Sequence, residues 1–389
     1  MYKSIKEMDI FISDGNYSSK YPRSDEFVDE GIPFIRGNNM IDGEIVDGDM
    51  YHITKEKHNI LLKGHVKPGD VLITTRGNIG QVAIVPERHN DSNINAQIVL
   101  LRVNREELYN RYLLWALQSQ KAKEQYLSLQ TGTALKQLPV GKLEQVKIKC
   151  VDLKSQFEIA EIFDKAYKLI NIRKKELEVL DELIKARFVE LFGDPMTNSN
   201  GYVLKTYGEL FELNAGGTPS KQKSEYWDNG TISWIGSNMC QNAVIYENDG
   251  NYITVEGLNH SSARMFPIDT VLIALVGATI GKTALLKFET TTNQNVLGVR
   301  GIRESGYTPE FIFYYTQGLY QKFLNIGDGG FAMASKGFIS ELPVPIVELE
   351  LQEQFTAFAH QVDKSKVAVQ KSLDEAQLLF DCLMQKYFG

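Results

Sequence analysis

The chain is short of the residues that staple, chelate or cross a membrane. Among 389 residues only three are cysteine: Cys150, Cys240 and Cys382. They are few, odd in number and scattered, and no CxxC pair occurs. This argues against a disulfide framework and against a cysteine zinc site. The six histidines (His52, His58, His65, His89, His260, His360) form no HExxH and no close metal-binding pair, so no metal is expected. The longest strongly apolar run, Val271 to Gly277, is too short for a bilayer span. The stretch Met1 to Asp9 mixes both charge signs and has no apolar segment. A secretory signal is not expected there, and the chain reads as cytoplasmic, with no membrane partner. A GxSxG elbow is absent, as is the Asn/Asp-Pro-Pro-aromatic tetrapeptide of amino-methyltransferases. Asp194-Pro195-Met196 reads as a helix end instead. No catalytic residue is assigned.

One near miss remains. Val276-Gly-Ala-Thr-Ile-Gly281-Lys282-Thr283 approaches the phosphate loop GxxxxGK[ST], but valine holds the first glycine's place. Starting at Gly277 leaves the spacing one residue short, and successive N–H groups then miss the phosphates. A nucleotide hydrolase built on Lys282 is kept only as a remote alternative. Gly15, Gly216 and Gly217 read as turn glycines rather than a cofactor loop.

What is present is ordinary globular composition, 43% hydrophobic and 23% charged. The net charge of −7 counts against a bulk nucleic-acid binder. Its distribution is uneven. Residues 1–50 carry five Lys/Arg against eleven Asp/Glu, whereas residues 51–150 carry fifteen against eight.

The length implies two or three domains, and the sequence repeats itself. At a shift of 200, Ile32, Phe34, Ile35 and Asn38 fall on Ile232, Trp234, Ile235 and Asn238. Ile53-Thr54 meets Ile253-Thr254, Val71-Leu72-Ile73 meets Val271-Leu272-Ile273, and Gly77 meets Gly277. At 198, Asn95 meets Asn293, Arg102 meets Arg300, and Gly132 and Ala134 meet Gly330 and Ala332. Leu153, Gln156 and Phe157 then meet Leu351, Gln354 and Phe355. Each copy opens with short β-branched runs bounded by Gly, Asn, Asp and Pro. In the first these are Ile32–Arg36, Asp70–Thr75, Val82–Val85 and Ile98–Val103; in the second, Ile232–Ile235, Thr270–Val276, Thr283–Leu286 and Val296–Arg300. A helix is predicted over Arg111–Leu129 and over Pro309–Asn325. The aromatics of the latter (Phe311, Phe313, Tyr314, Tyr315, Tyr320) read as a core face.

Each copy ends in a long helix. No Pro or Gly interrupts Ser155–Leu191, and Ile159, Phe163, Ala166, Ile170, Leu177, Leu180, Ile184 and Leu191 recur at heptad spacing, with Arg173 breaking the seam. Gly193-Asp-Pro195 is the stop. The second stripe runs Phe355, Phe358, Val362, Val369, Leu373, Ala376, Phe380, Leu383. Helices of this size are ~50–60 Å long, and two such stripes are best buried against each other, antiparallel. The fold class is α+β: two β-rich domains joined by a paired-helix coiled coil with an approximate two-fold axis. The expected boundaries are 1–148, 149–198 (central helix), 199–346 and 347–389 (C-terminal helix).

Polar side chains cluster on turns at matching places. Asn16, Ser18, Ser19 and Lys20 follow Gly15; Thr218, Ser220, Lys221 and Lys223 follow Gly217. Arg36, Asn38 and Asn39 follow one strand, and Ser237, Asn238 and Gln241 its counterpart. Arg76 and Asn78 occupy the tight turn that carries Lys282 and Thr283 in the second copy. Arg, Asn and Gln can read base edges and Lys can hold phosphates. Asn38 and Asn238 match each other, so an Asx turn is the alternative for that pair.

The arrangement resembles the specificity subunit of Type I restriction–modification enzymes. Arg187-Phe-Val-Glu-Leu-Phe-Gly-Asp-Pro195 is similar to the family's central-helix end, and Gly216-Gly-Thr-Pro219 to its domain opening, from which Asp14-Gly-Asn-Tyr17 departs. Gly330-Phe-Ala-Met-Ala-Ser-Lys-Gly-Phe-Ile-Ser-Glu-Leu-Pro-Val-Pro345 with Leu351-Gln-Glu-Gln354 resembles a domain end and helix entry. Gly132-Thr-Ala-Leu-Lys136 and Leu153-Lys-Ser-Gln156 are weaker versions. The resemblance implies two target-recognition domains, each reading half of a bipartite, asymmetric double-stranded DNA target, with the helices setting the gap. It implies a non-catalytic chain that docks two modification subunits and, in the full complex, restriction subunits. Lys174, Lys175, Glu176 and Lys185 on the central helix would carry partner contacts. The chain itself would need no cofactor; S-adenosylmethionine, ATP and Mg²⁺ would sit on the partners. A recognition chain of a differently organised methyltransferase–nuclease, or an inactive cassette, is the alternative.

Overall fold

The computed structural model describes residues 1–15, 19–133, 135–326 and 333–389. Asn16, Tyr17, Ser18, Ala134, Gly330, Phe331 and Ala332 therefore lie outside the described residues. The chain forms two compact units, Met1–Lys174 with Gln370–Gly389, and Lys175–Val369.

In the first unit a four-stranded sheet has the order Ile10–Asp14, Ile98–Val103, Val71–Thr74, Val82–Ile84, antiparallel throughout. Val71, Leu72 and Ile73 are all fully buried, because both faces of this sheet are covered. Val71, Ile73, Val99 and Leu101 face one core, with Leu113 and Trp115 of the helix Asn110–Gln118. Leu72, Leu100, Ile98 and Ala83 face another, with Ile35, Met40 and Ile45. An uninterrupted apolar run is what two covered faces require. A second sheet places Ile32–Ile35 between Asn93–Ile94 and Tyr51–Ile53, with Phe27–Val28 at the edge.

The second unit repeats this scheme. Glu212–Ala215, Val296–Arg300, Val271–Ala274, Thr283–Leu286 and Ala243–Ile245 form a five-stranded sheet, the last pair parallel. The first unit reduces that fifth strand to a single bridge, Gly43 to Ala83. Thr54 and Thr254, matched in sequence, both cap short helices, accepting from Lys57 N and Gly257 N. Asn95 and Asn293 also share one role: each side-chain oxygen accepts the N–H two residues on, at 3.1 and 3.0 Å. Gly15 and Gly216 are close-approach glycines rather than turn glycines. A Cβ at Gly15 would meet Asn95 O at 2.2 Å, and one at Gly216 would meet Thr292 Oγ1 at 2.0 Å. Gly217 is hemmed in likewise by Ser262.

Three expectations are corrected. The helix over 111–129 is two helices, Asn110–Gln118 and Gln120–Leu129. Ser119 breaks it, donating its hydroxyl to Ala116 O at 2.7 Å and accepting from Ala122 N at 3.2 Å. The helix over 309–325 divides similarly, into Pro309–Gly318 and Tyr320–Leu324; Phe311, Phe313 and Tyr315 are core, as expected. The partner of Gln156 is also not Gln354 but Gln352. Gln156 accepts from Tyr109 N and donates to Glu107 O and Val151 O. Gln352 accepts from Thr308 N and donates to Gly306 O and Val347 O. Each amide ties a helix entry to the same preceding loop.

With that register the long helices match end to end: Leu153–Phe192 and Leu349–Phe388, forty residues each. Both close on Phe-Gly, and Gly193 takes φ +77° at the first stop. In the first unit Phe163 meets Phe388 at 5.4 Å and Tyr167 meets Phe380 at 6.1 Å between ring centroids. In the second, Phe192 and Phe188 meet Phe355 at 5.7 and 5.1 Å, and Lys366 reaches Asp181 at 2.6 Å. In both, rising numbers on one helix meet falling numbers on the other, so the pairing is antiparallel. Ile159, Phe163, Ile170 and Ile184 of the predicted seam are buried. Among the described residues no helix is long and apolar enough to cross a membrane.

Phe388 is 3% exposed, so its truncation should behave as a core deletion. Phe388→Ala is expected to cost ~3–5 kcal/mol. Hydrogen exchange should report the loss first in Asn110–Gln118 and the neighbouring strands of the first unit.

Candidate nucleic-acid interface

The candidate surface is built on two tight turns and two 3₁₀ turns, one of each per unit. The turn after Val71–Thr74 is held from inside. The buried Thr74 hydroxyl donates to Asn78 O at 2.5 Å and accepts from Gln81 N at 3.0 Å. Gly77 and Gly80 take φ of +72° and +90°, a region closed to most side chains. With the backbone committed inward, Arg76 and Asn78 are left exposed.

The matching turn of the second unit bends at Gly277 and Gly281, φ +71° and +74°. It closes an antiparallel hairpin between Val271–Ala274 and Thr283–Leu286. No helix N-terminus follows it, so the phosphate-loop reading fails on geometry. Lys282 Nζ instead donates to Gln241 Oε1 at 3.0 Å, and Gln241 Nε2 to Asn238 O at 3.1 Å. Asn238 Nδ2 reaches Asp249 Oδ2 at 3.3 Å. The fold thus gathers Asn238, Gln241 and Lys282 into one chain of polar contacts.

Three predicted residues serve the fold more than the surface. Asn39 is fully buried: its side chain accepts from Arg36 N and donates to Gly48 O, both at 3.0 Å. The Asx role foreseen for Asn38 belongs to Asn39, and Asn38 is the exposed member of the pair. Thr283 is also fully buried, bonded to Asn242 Oδ1 through its N–H at 2.9 Å and its hydroxyl at 3.3 Å. Asn39 and Thr283 are therefore withdrawn as DNA contacts. Arg36 is half-buried, with its guanidinium 3.4 Å over the Tyr51 ring and Nη2 donating to Asp49 O at 2.6 Å.

Lys20 and Lys221 are exposed at matching places. Lys223 donates to Tyr226 Oη at 2.8 Å, which holds its ammonium above the ordinary pKa. Burial pushes the Cys240 thiol up to about 12, so it is not a nucleophile at neutral pH. On the central helix Lys174, Lys175 and Lys185 are exposed, Lys175 pairing with Glu178 at 3.0 Å, but Glu176 is half-buried rather than exposed. The pattern missed in the sequence is apolar. Leu169 and Ile172 in the first unit and Val179 and Leu183 in the second stay 39–48% exposed on this helix, one pair in each unit at steps of three and four. They were hidden among the apolar positions of the buried seam.

Comparison with known proteins supplies a family. The model described as "Type I restriction modification DNA specificity domain" matches twice, over residues 5–182 and 200–376. The EcoR124I/EcoR124II specificity subunit of Escherichia coli is 31% identical over 172 residues, 40% of this chain and 40% of that protein. That match spans less than half of the relative's length. The putative MjaX specificity subunit of Methanocaldococcus jannaschii is 22% identical over 347 residues, 83% of this chain and 78% of that one. Among solved structures, the S subunit of a Type I restriction–modification system from M. genitalium superposes with a TM-score of 0.60 at 15% identity, covering 100% of this chain and 96% of that one. A chain from a structure of type I R-M complex assembly gives 0.59 at 16%, with 100% and 97% covered. At such identities the likeness is one of fold.

The neighbouring asparagines separate support from surface. Asn39→Ala should destabilise the first unit by ~1–3 kcal/mol by stranding Arg36 N and Gly48 O. Asn38→Ala should stay within ~0.5 kcal/mol. Thermal denaturation of the two variants checks both.

Proposed function

The chain belongs to the Type I restriction modification DNA specificity domain family, and on that premise we propose that it is the DNA-recognition subunit of a Type I restriction–modification complex. The observation that carries the reading is the duplication itself. Two β-rich domains of one design each enter a forty-residue helix through the same glutamine clasp.

Each domain reads one block of DNA. The exposed turn residues Arg76, Asn78 and Asn38, with Lys20, serve the first block; Asn238, Gln241 and Lys282, with Lys221, serve the second. Arg, Asn and Gln address base edges in the major groove, and lysines neutralise phosphate. The two tight turns differ in length and in their exposed side chains, Arg76 and Asn78 in the first against Lys282 in the second, so the two blocks differ and the target is asymmetric. The net charge of −7 is offset in the complex by partner subunits that share the phosphate contacts.

The helices set the unread gap. Forty residues at ~1.5 Å each make ~60 Å, more than the ~34 Å of one duplex turn, so their length is enough to hold two readers one turn or more apart. The exposed pairs Leu169 with Ile172 and Val179 with Leu183, one in each unit, dock modification subunits, which bring S-adenosylmethionine and methylate adenine. Restriction subunits join through them with ATP and Mg²⁺. This chain performs no chemistry of its own.

Co-expression with the neighbouring methyltransferase gene, followed by single-molecule mapping of methylated adenines, tests the reading. A split, asymmetric motif with a constant gap is expected, and Lys282→Ala or Gln241→Ala should weaken discrimination in one half alone, by ~1–3 kcal/mol per lost base contact. Seven residues inserted near Leu177 should change the gap and keep both half-sites. A continuous motif, or an unchanged gap after insertion, removes the two-reader spacer. In the same system Val179→Glu with Leu183→Glu should leave the fold intact and abolish co-purification of the methyltransferase.

A further inference from the structure

The first unit brings together three side chains that no spacing rule links: His58, His65 and Asp91. His58 sits on the short helix Lys55–Ile60, His65 follows Gly64, and Asp91 occupies a left-handed turn at φ +62°. Backbone pairing fixes the encounter, since Val66 N donates to Ser92 O, Asp91 N to Val66 O, and His65 bridges Asn93. His58 Nε2 lies 3.3 Å from one carboxylate oxygen of Asp91 and His65 Nδ1 lies 3.1 Å from the other. All three ligand atoms fall within 4.8 Å of one another.

The far side of each ring is also occupied. His65 Nε2 lies 2.5 Å from Leu61 O, and His58 Nδ1 lies 2.6 Å from Asn93 Oδ1. The Leu61 carbonyl requires a proton on His65 Nε2, so in the neutral ring His65 Nδ1 points a lone pair at a carboxylate oxygen, acceptor against acceptor. The Asn93 amide, whose Nδ2 is buried without a hydrogen-bond partner, can turn either end to His58 Nδ1. A divalent ion among the three groups satisfies both rings and the carboxylate at once, with the rings 4.4 Å apart between centroids and the His58 side chain only 8% exposed. Two ligands at ~2.0–2.1 Å and a tetrahedral angle stand about 3.3 Å apart, close to the two imidazole–carboxylate separations. A carbonyl or amide oxygen behind each imidazole is the usual support of a metal-bound histidine.

We propose that His58, His65 and Asp91 form a binding site for a divalent transition metal of the zinc class. Two imidazoles and a carboxylate suit zinc, and the Asp91 side, 66% exposed, leaves room for water as fourth ligand. The ion would tie the helix Lys55–Ile60 to the strand Asn93–Ile94, the parallel partner of Ile32–Ile35, which leads into the Arg36–Asn39 turn. The second unit offers a built-in contrast. Its ladder pairs Met265 with Thr291 where the first unit bridges His65 to Asn93, and Leu258 stands in the helix at the place of His58. Neither is an imidazole, and a two-residue strand, Met265–Phe266, does the joining there. The proposal is independent of which DNA the chain reads.

Zinc titration of the full-length chain, in a Cys382→Ser background to remove the exposed thiol, tests it by calorimetry. The visible spectrum of the Co²⁺ form provides a second readout. One site per chain is expected, with intense tetrahedral cobalt bands. Asp91→Asn keeps a residue that tolerates positive φ and should weaken zinc binding at least ~10-fold, as should His65→Ala. Zinc should also raise the melting temperature of the parent chain and not that of Asp91→Asn. Equal zinc affinity in the parent and Asp91→Asn overturns the site. So does an absence of zinc binding to the parent chain.

Discussion

Each compact unit is closed by a phenylalanine at the end of a helix that starts in the other unit. Phe388 seals the core around Phe163, Tyr112 and Trp115, and Phe192 seals the core around Phe311 and Phe355. Burying one such ring is worth ~1.5–3 kcal/mol in transfer alone. The more important effect is geometric. A helix anchored by a glutamine clasp at its entry and an aromatic ring at its exit has fixed ends, and its forty residues cannot slide against their partner without emptying one core or the other. The register is thus set by side chains inside the two cores.

The same division of labour recurs at the turns. Thr74, Asn39, Thr283 and the positive-φ glycines hold backbone shape from inside. Arg76, Asn78, Asn38 and Gln241 stand outside on that frame, and Lys282 is propped on Gln241. The exposed side chains differ between the copies, while a tight turn bent at two positive-φ glycines recurs in both.

The fold was largely legible because its signals are local and doubled. Val71–Ile73 and Val271–Ile273 could be read as buried strands from a run of branched apolar residues, and the helices from a heptad stripe and a Gly-Asp-Pro stop. What escaped depended on which way a side chain points. Asn38 and Asn39 are indistinguishable in sequence, yet one is exposed and the other holds the loop. Gln156 was matched to Gln354 because Gln352 and Gln354 are both glutamines at a helix entry, and only the hydrogen bonds to Thr308, Gly306 and Val347 choose between them. The cluster of His58, His65 and Asp91 is assembled by strand pairing across residues 65–93, so no motif could announce it. The surface that would read DNA was legible only as a set of turns, because base recognition leaves no mark on backbone periodicity.

The exchange of helix ends has a consequence for biosynthesis. The unit Lys175–Val369 is one continuous stretch of chain, and it can complete its core as soon as that stretch has left the ribosome. The first unit cannot. Its strands emerge first, but they wait for Gln370–Gly389, and Phe388 in particular, to be made. For most of translation its apolar groove around Phe163 and Trp115 stays open to solvent. The part of the chain made earliest is therefore the part finished last, its groove uncovered until Gln370–Gly389 arrive.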